Sequence, residues 1–337
     1  MANIFEVENL KVYFQLKGSF GRKKKIVHAV DGVSFNLAKG EILSLVGESG
    51  SGKTTTGKAL LQLVPCTYDK LLFNGEPIDR SRAGLKAFRQ KAQMIYQDPY
   101  QSLNPRNDIL DIVSEPLVVN NMVSSEEDRQ ERSRQALEEA GLAPGEDYFY
   151  RYPYELSGGQ RQRVVIASSM IMRPQFVVAD EPVSMLDASI RAGILKLMLK
   201  FREETGVTYL FITHDLSLAW LISDRIAIMY LGKIVEIGPS DIIVNKGIHP
   251  YTRALSDIMP KPGELRTGPR DVLEGETPNP IEVLAGCKFR SRCKFAAERC
   301  SREEPPVIEV EPGHQVACFL AKKGEQTKGK EGFNENF

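Results

Sequence analysis

The sequence predicts an α/β fold built on a parallel sheet, and three observations carry that prediction. Short apolar runs alternate with helix-compatible stretches. Each run is rich in β-branched or aromatic residues, as in strands covered on both faces. Polar and ionisable residues stand just past the ends of the runs, where open α/β sheets bind ligands. The first strand is Glu41 to Val46, which runs into glycines. Phe176 to Ala179 is the second and ends at Asp180 and Glu181. Thr208 to Thr213 ends at His214 and Asp215. Arg225 to Tyr230 is followed by Leu231, Gly232 and Lys233, a hairpin turn into Ile234 to Ile237.

Composition sets the class. The chain has 337 residues, enough for two ordinary domains or one elaborated one. With 42% hydrophobic and 26% charged residues it is globular, neither disordered nor collagen-like. Lys plus Arg and Asp plus Glu are 44 each, so the basic excess of a dedicated nucleic-acid binder is missing and no nucleic-acid partner is expected. Val207 to Leu231 is apolar but interrupted by His214, Asp215, Asp224 and Arg225, and reads as buried strands rather than a membrane span. The opening MANIFEVENL lacks the basic and apolar regions of a secretory signal, which points to a cytosolic chain. After Met259 the prolines at 260, 262, 269, 278 and 280 read as an extended linker. From Lys322 onward almost nothing can be buried, so the tail reads as disordered. The expected organisation is a domain over 1–259, an extension over 260–321 and a disordered tail over 322–337.

Gly47, Glu48, Ser49, Gly50, Ser51, Gly52, Lys53 and Thr54 fit the phosphate-loop pattern GxxxxGK followed by Ser or Thr. They lie between a strand and a helix predicted over Thr55 to Leu63. The glycines let backbone N–H groups turn toward phosphates, and the helix N-terminus adds its dipole. Lys53 would reach the β- and γ-phosphates, and Thr54 would place its hydroxyl on Mg²⁺. Asp180, at a strand end, suits a Mg²⁺-holding carboxylate, and Glu181 suits a group that orients or deprotonates water. Leu156, Ser157, Gly158, Gly159 and Gln160 precede a helix predicted over Arg161 to Met172, which puts Ser157 and the glycines at an anion-binding helix N-terminus. Singly, these are a glycine turn, a solvated acidic pair and a structural Ser-Gly-Gly turn; together they select the functional reading.

Over roughly residues 4 to 259 the chain resembles the ATP-binding cassette (ABC) ATPase subunits of transporters. Gln97, within Met94 to Pro99, matches the Q-loop, 156–160 the signature, Ser184 to Asp187 the D-loop and His214 the switch histidine, all in the family's order. The resemblance implies a P-loop NTPase of the ABC nucleotide-binding type, with an antiparallel β subdomain and a helical subdomain near 100–170 that receives a membrane partner. Within it, pattern alone supports an amphipathic helix over Ser124 to Gly141. The resemblance also implies that two such domains close head to tail around two ATP molecules. Ser157, Gly158, Gly159 and Gln160 would then meet the nucleotide held by the partner's phosphate loop. Glu181 would be the catalytic base, with His214 contacting the γ-phosphate. Gly47, Ser49, Gly50, Ser51, Gly52, Lys53, Thr54, Thr55 and Asp187 would line the nucleotide site, with Thr54, Gln97 and Asp180 on Mg²⁺. Phe14, with Tyr13 second, would stack on adenine. The lysines of Lys17 to Lys25 read as a solvated loop.

Cys287, Cys293, Cys300 and Cys318 crowd the last sixth of the sequence, while Cys66 stands alone. An odd count without a secretory signal argues against a disulfide framework. No tight Cys pair of the usual zinc spacing is present, and four wider-spaced thiolates better suit an iron–sulfur cluster. The segment 287–293, the return at 316–318 and His249 to Arg253 resemble the C-terminal extension of oligopeptide and dipeptide importer ATPases, some of which hold a 4Fe–4S cluster. Zinc and no metal stay open as alternatives. Lys288, Arg290, Arg292 and Lys294 would offset a cluster's charge or form a solvated face. The implied function is the ATP-hydrolysing subunit of a peptide importer at the cytoplasmic face of the cell membrane. It would work with two transmembrane permease subunits, a second, paralogous ATPase and an extracytoplasmic binding protein. Importers of oligosaccharides or nickel in the same subgroup are the alternative, and a soluble ABC ATPase of translation or DNA repair is the rival.

Overall fold

The strands build two sheets, with the core strands of the larger one buried along their whole length. The computed structural model describes residues 2–16, 25–259 and 285–322, together with Gly275, Pro278 and Ile281. The lysine loop apart from Lys25, most of the predicted linker and the tail beyond Lys322 lie outside the described residues. The chain opens with β1 (Asn3–Leu16), β2 (Lys25–Ala38), β3 (Ile42–Val46), β4 (Lys70–Phe73) and β5 (Glu76–Pro77). Next come β6 (Ala92–Ile95), β7 (Phe176–Asp180), β8 (Thr208–Thr213), β9 (Arg225–Tyr230) and β10 (Lys233–Pro239). The C-terminal segment supplies β11 (Val307–Glu311) and β12 (His314–Ala317).

One sheet is antiparallel, in the order β2-β1-β4-β5. The other runs β11-β12-β10-β9-β3-β8-β7-β6. Its β9, β3, β8, β7 and β6 are parallel, as expected from their continuous apolar character. Successive side chains serve opposite faces. Val177, Ala179, Tyr209 and Phe211 pack on one side with helices Ile109–Val119, Glu126–Glu139, Gly158–Met170 and Ala188–Thr205. Phe176, Val178, Leu210 and Ile212 pack on the other with helix Lys53–Leu60 and the antiparallel sheet. The turn from β9 to β10 places Leu231 at φ 44° and Gly232 at φ 82°, the paired positive values of a two-residue hairpin.

Three expectations are corrected in detail. The phosphate-loop helix starts at Lys53, two residues early, because Gly52 at φ 102° breaks the chain direction there. The helix after the signature starts at Gly158 because Ser157 caps it. Val207 to Leu231 holds a helix, Leu216–Ile222, between its strands. The Asp215 carboxylate starts it by accepting the N–H groups of Ser217 and Leu218.

The C-terminal segment extends the main sheet. β12 pairs with β10 at Glu236–Val316 and Ile237–Gln315. Beneath that seam the buried Glu236 carboxylate accepts N–H bonds from Ile248 at 2.8 Å and His249 at 3.0 Å, and meets His314 Nε2 at 2.8 Å. Phe289 joins a core with Ile226, Ile228, Tyr230, Tyr251 and Met259, with Cys287 and Cys293 packed against it.

Candidate functional site

The site begins where β3 ends. A Cβ on Gly47 would lie 2.1 Å from the Met229 carbonyl oxygen, and one on Gly52 would lie 2.1 Å from that of Ala29, so only glycine admits this loop path. No side chain caps the helix at Gly52, which leaves its first N–H groups for a ligand. The Lys53 ammonium is buried and donates to the carbonyl oxygens of Gly47 at 2.7 Å and Glu48 at 2.9 Å. Burial lowers its pKa, opposed by Glu181, Asp180 and Glu48.

Strand ends deliver the remaining groups. Asp180, buried at the end of β7, accepts the Thr54 hydroxyl at 2.9 Å. Burial raises its carboxyl pKa, and the Thr54 bond works against that. Glu181 then takes φ 46°, which turns it off the strand line, and its N–H donates to Ile212 of β8 at 2.9 Å. Its Oε2 accepts Gln97 Nε2 at 3.0 Å and stands 3.2 Å from His214 Nδ1. Gln97, Glu181 and His214 follow β6, β7 and β8, three adjacent parallel strands, which is why they meet. A cavity of about 40 Å³ beside them is lined by Glu181, Ser184, Thr213 and His214. A hydroxyl, two carboxylates, an amide and an imidazole next to an ammonium-bearing loop can hold a divalent cation with phosphates and accept a proton from water.

Other predicted residues stand outside this bonded set. Ser157 and Gln160 bond to each other in a reciprocal cap, N–H to Oε1 at 2.9 Å and N–H to Oγ at 3.3 Å. None of these bonds reaches Lys53, Asp180 or Glu181. Gly159 allows close packing, since its Cβ would lie 2.7 Å from Ile190 Cγ2. Asp187 is exposed at the start of helix Ala188–Thr205 and makes no side-chain cap. Phe14 exposes its ring on β1. Tyr13 is committed instead: its hydroxyl donates to Asp31 at 2.6 Å and its ring lies 4.1 Å from that of His28.

Sequence reasoning missed the attachment of this site to the C-terminal segment. Arg292 pairs with Glu48 of the phosphate loop at 2.8 Å, and Lys288 with Asp31 at 3.2 Å. The Arg292 side chain is only 7% exposed, so the solvated-face alternative fails for it. Glu48 precedes Arg292 by 244 positions, and nothing local in the sequence signals the pair. A cavity of about 340 Å³ also lies along this seam, lined by Glu236, His249, Cys287 and Phe289 among others.

The cysteines are all free thiols. Burial pushes Cys318 up to about 11, and Cys287, Cys293 and Cys300 lie close enough to add to that rise. Among the described residues, however, no group of three or more His, Cys, Asp or Glu side chains is arranged to hold a metal ion. The iron–sulfur expectation therefore finds no ligand group among the described residues, and no step of the chemistry is routed through it.

Comparison with known proteins agrees with this geometry. The ABC transporter family profile matches residues 30–184, and the oligopeptide/dipeptide transporter C-terminal region matches 235–300. The oligopeptide transport ATP-binding protein AppF of Bacillus subtilis (strain 168) is 44% identical over 94% of this chain and 97% of its own length. Among solved structures, cbiO1 from Clostridium perfringens, part of the ABC transporter complex cbiONQ, superposes with a TM-score of 0.62 at 27% identity. That match covers 72% of this chain and 91% of cbiO1. The ATP-binding cassette MJ0796, a dimer bound to ADP and Pi, gives a TM-score of 0.60 at 27% identity over 70% of this chain and 98% of its own. This chain belongs to the ABC family of transporter ATPases and carries that family's oligopeptide/dipeptide transporter C-terminal region.

Proposed function

We propose that this chain hydrolyses ATP to drive uptake of peptides through separate membrane subunits. The observation that carries the reading is the meeting of Gln97, Glu181 and His214 beside the Thr54–Asp180 pair at the phosphate loop. Phosphoryl transfer needs chiefly positioning and charge neutralisation. In this reading Lys53 and the loop from Gly47 to Thr55 bind the phosphates, Thr54, Asp180 and Gln97 would hold Mg²⁺, which would neutralise phosphate charge, and Phe14 meets adenine. Glu181 takes the proton of the attacking water while His214 fixes the carboxylate and the γ-phosphate.

Ser157, Gly158, Gly159, Gln160 and Asp187 make no bond to this chain's own Lys53, Asp180 or Glu181, which suits their service to a second cassette's nucleotide. We infer a paired, paralogous ATPase, two permease subunits and an extracytoplasmic binding protein. Tyr100, Val119, Tyr150 and Tyr154 are exposed on or beside the helical subdomain, and Tyr150 is 72% exposed, which suits a face that receives a membrane subunit. No helix of the described residues is long and apolar enough to cross a membrane. A peripheral place on the cytoplasmic face follows from the importer reading. The functional units are residues 1–259, with the helical subdomain near 100–170, and 260–321, followed by the tail 322–337. A 4Fe–4S cluster on Cys287, Cys293, Cys300 and Cys318 is the reading that their crowding in the last sixth of the sequence and their free thiols suggest.

Affinity capture of the Glu181→Gln protein from native membranes with ATP tests the assembly, because the substitution keeps the site's shape while removing the proton acceptor. Recovery of two polytopic membrane proteins and a second cassette is expected. Recovery of ribosomal or DNA-repair components without membrane proteins would overturn the transporter reading.

A further inference from the structure

The phosphate loop is fixed from outside its own strand–loop–helix unit. Arg292, in the short helical turn Arg290–Arg292, places Nη1 at 3.1 and 2.8 Å from the two carboxylate oxygens of Glu48. It also reaches the Tyr230 hydroxyl at 3.5 Å. The Glu48 N–H donates to the Tyr251 hydroxyl at 2.9 Å, and the Glu48 carbonyl oxygen accepts the Lys53 ammonium. One loop residue thus has its N–H, its carbonyl and its carboxylate all held. The anchors themselves are packed: the rings of Tyr230, Tyr251 and Phe289 lie 4.9 to 5.4 Å apart.

Charge explains why Glu48 needs a cation. Its carboxylate sits on the loop that must receive a polyphosphate, with Asp180 and Glu181 already acting on Lys53. A half-buried carboxylate stripped of its partner repels incoming phosphate and frees the loop. The Arg292 guanidinium also lies over the Tyr230 ring, 5.9 Å from its centroid, so the planar group that reaches Glu48 is held in direction by an aromatic face, which an ammonium uses less well.

We propose that Arg292 is a positioning residue for the phosphate loop: by clamping and neutralising Glu48, the C-terminal segment sets the loop's affinity for nucleoside triphosphate. The proposal rests on the reading of residues 47–54 as the nucleotide loop and is independent of whether the cysteines hold a metal.

The test uses the full chain and a fluorescent ATP analogue, with steady-state ATPase kinetics alongside. Arg292→Ala should weaken binding about tenfold, equivalent to about 1.4 kcal/mol. The loss should appear mainly in KM, with kcat changed less. Arg292→Lys should fall between, about threefold weaker than wild type, because it keeps the charge and loses the planar group held over Tyr230. Adding Glu48→Gln to Arg292→Ala should restore binding toward wild type, since the stranded carboxylate is gone. Binding by Arg292→Ala within twofold of wild type overturns the proposal. So does a double variant as weak as Arg292→Ala, which would assign the loss to packing. Should Arg292→Ala fail to fold, Arg292→Lys decides, and wild-type affinity there overturns the proposal. Lys53→Ala is the control for the underlying reading: a wild-type chain that binds no better than Lys53→Ala overturns the nucleotide-loop assignment itself, whereas normal wild-type binding with an inert Arg292 overturns only the clamp.

Discussion

Acidification should destabilise this protein through His249, by an amount the structure sets. His249 is buried at the start of helix Pro250–Ile258, where its Nδ1 accepts the Tyr251 N–H at 3.1 Å. That bond requires an unprotonated Nδ1. Burial pushes the imidazole down to about 4, with Glu236 acting in the opposite direction. In the unfolded chain a histidine titrates near 6.5. As pH falls from about 6.5 to about 4 the unfolded chain binds a proton that the native chain refuses, so stability falls with pH across that window. The full difference of about 2.5 units corresponds to about 3.4 kcal/mol, of which about 2 kcal/mol is lost by pH 5.

The assay is urea unfolding at pH 7.5 and pH 5.0 for wild type and His249→Asn. Asparagine can cap the helix without titrating. Glu236, Glu311 and His314, which also lie in this region, are unchanged in the variant. Wild type should lose about 2 kcal/mol more than the variant between the two pH values. Equal losses would refute the assignment of the acid sensitivity to a neutral, buried His249.

Two further outcomes are expected. Gly47→Ala would force a methyl to within 2.1 Å of a backbone oxygen, a close approach that the loop can relieve only by moving. The strain is about 1–3 kcal/mol, so nucleotide binding should weaken at least about fivefold in isothermal titration while circular dichroism is unchanged. Anaerobic purification should yield a brown protein with about four irons per chain, and colourless, iron-free protein would end the cluster proposal.

What was legible in the sequence is what is local. The parallel strands could be read because burial on both faces leaves unbroken apolar runs, and β7, β8 and β9 coincide with those runs to within a residue. Asp180, Glu181 and His214 could be placed because ligand groups gather at strand ends, and β6, β7 and β8 are neighbours. Helix Leu216–Ile222 was hidden because seven apolar-rich residues between two strands show no helical period. The pairing of β12 with β10 was hidden for another reason. Edge pairing across about 80 residues is settled by tertiary contact, and β-propensity carries no address.

Those non-local contacts form one connected set, and it begins and ends on the C-terminal segment. His314 of β12 meets the Glu236 carboxylate, which accepts the His249 N–H. His249 accepts the Tyr251 N–H, and Tyr251 accepts the N–H of Glu48. Arg292 returns from the same segment to the Glu48 carboxylate. Each link is a hydrogen bond or ion pair in which at least one partner is buried, where losing a partner costs about 1–3 kcal/mol. A segment that seals the sheet edge therefore also grips the phosphate loop from two directions, through the Tyr251 hydroxyl and through Arg292. If both grips transmit to the loop, low pH acting through His249 and loss of the Arg292 charge should weaken nucleotide binding by separate routes. Combined, they should exceed either alone, whereas an acid effect absent from nucleotide affinity would confine His249 to holding the fold.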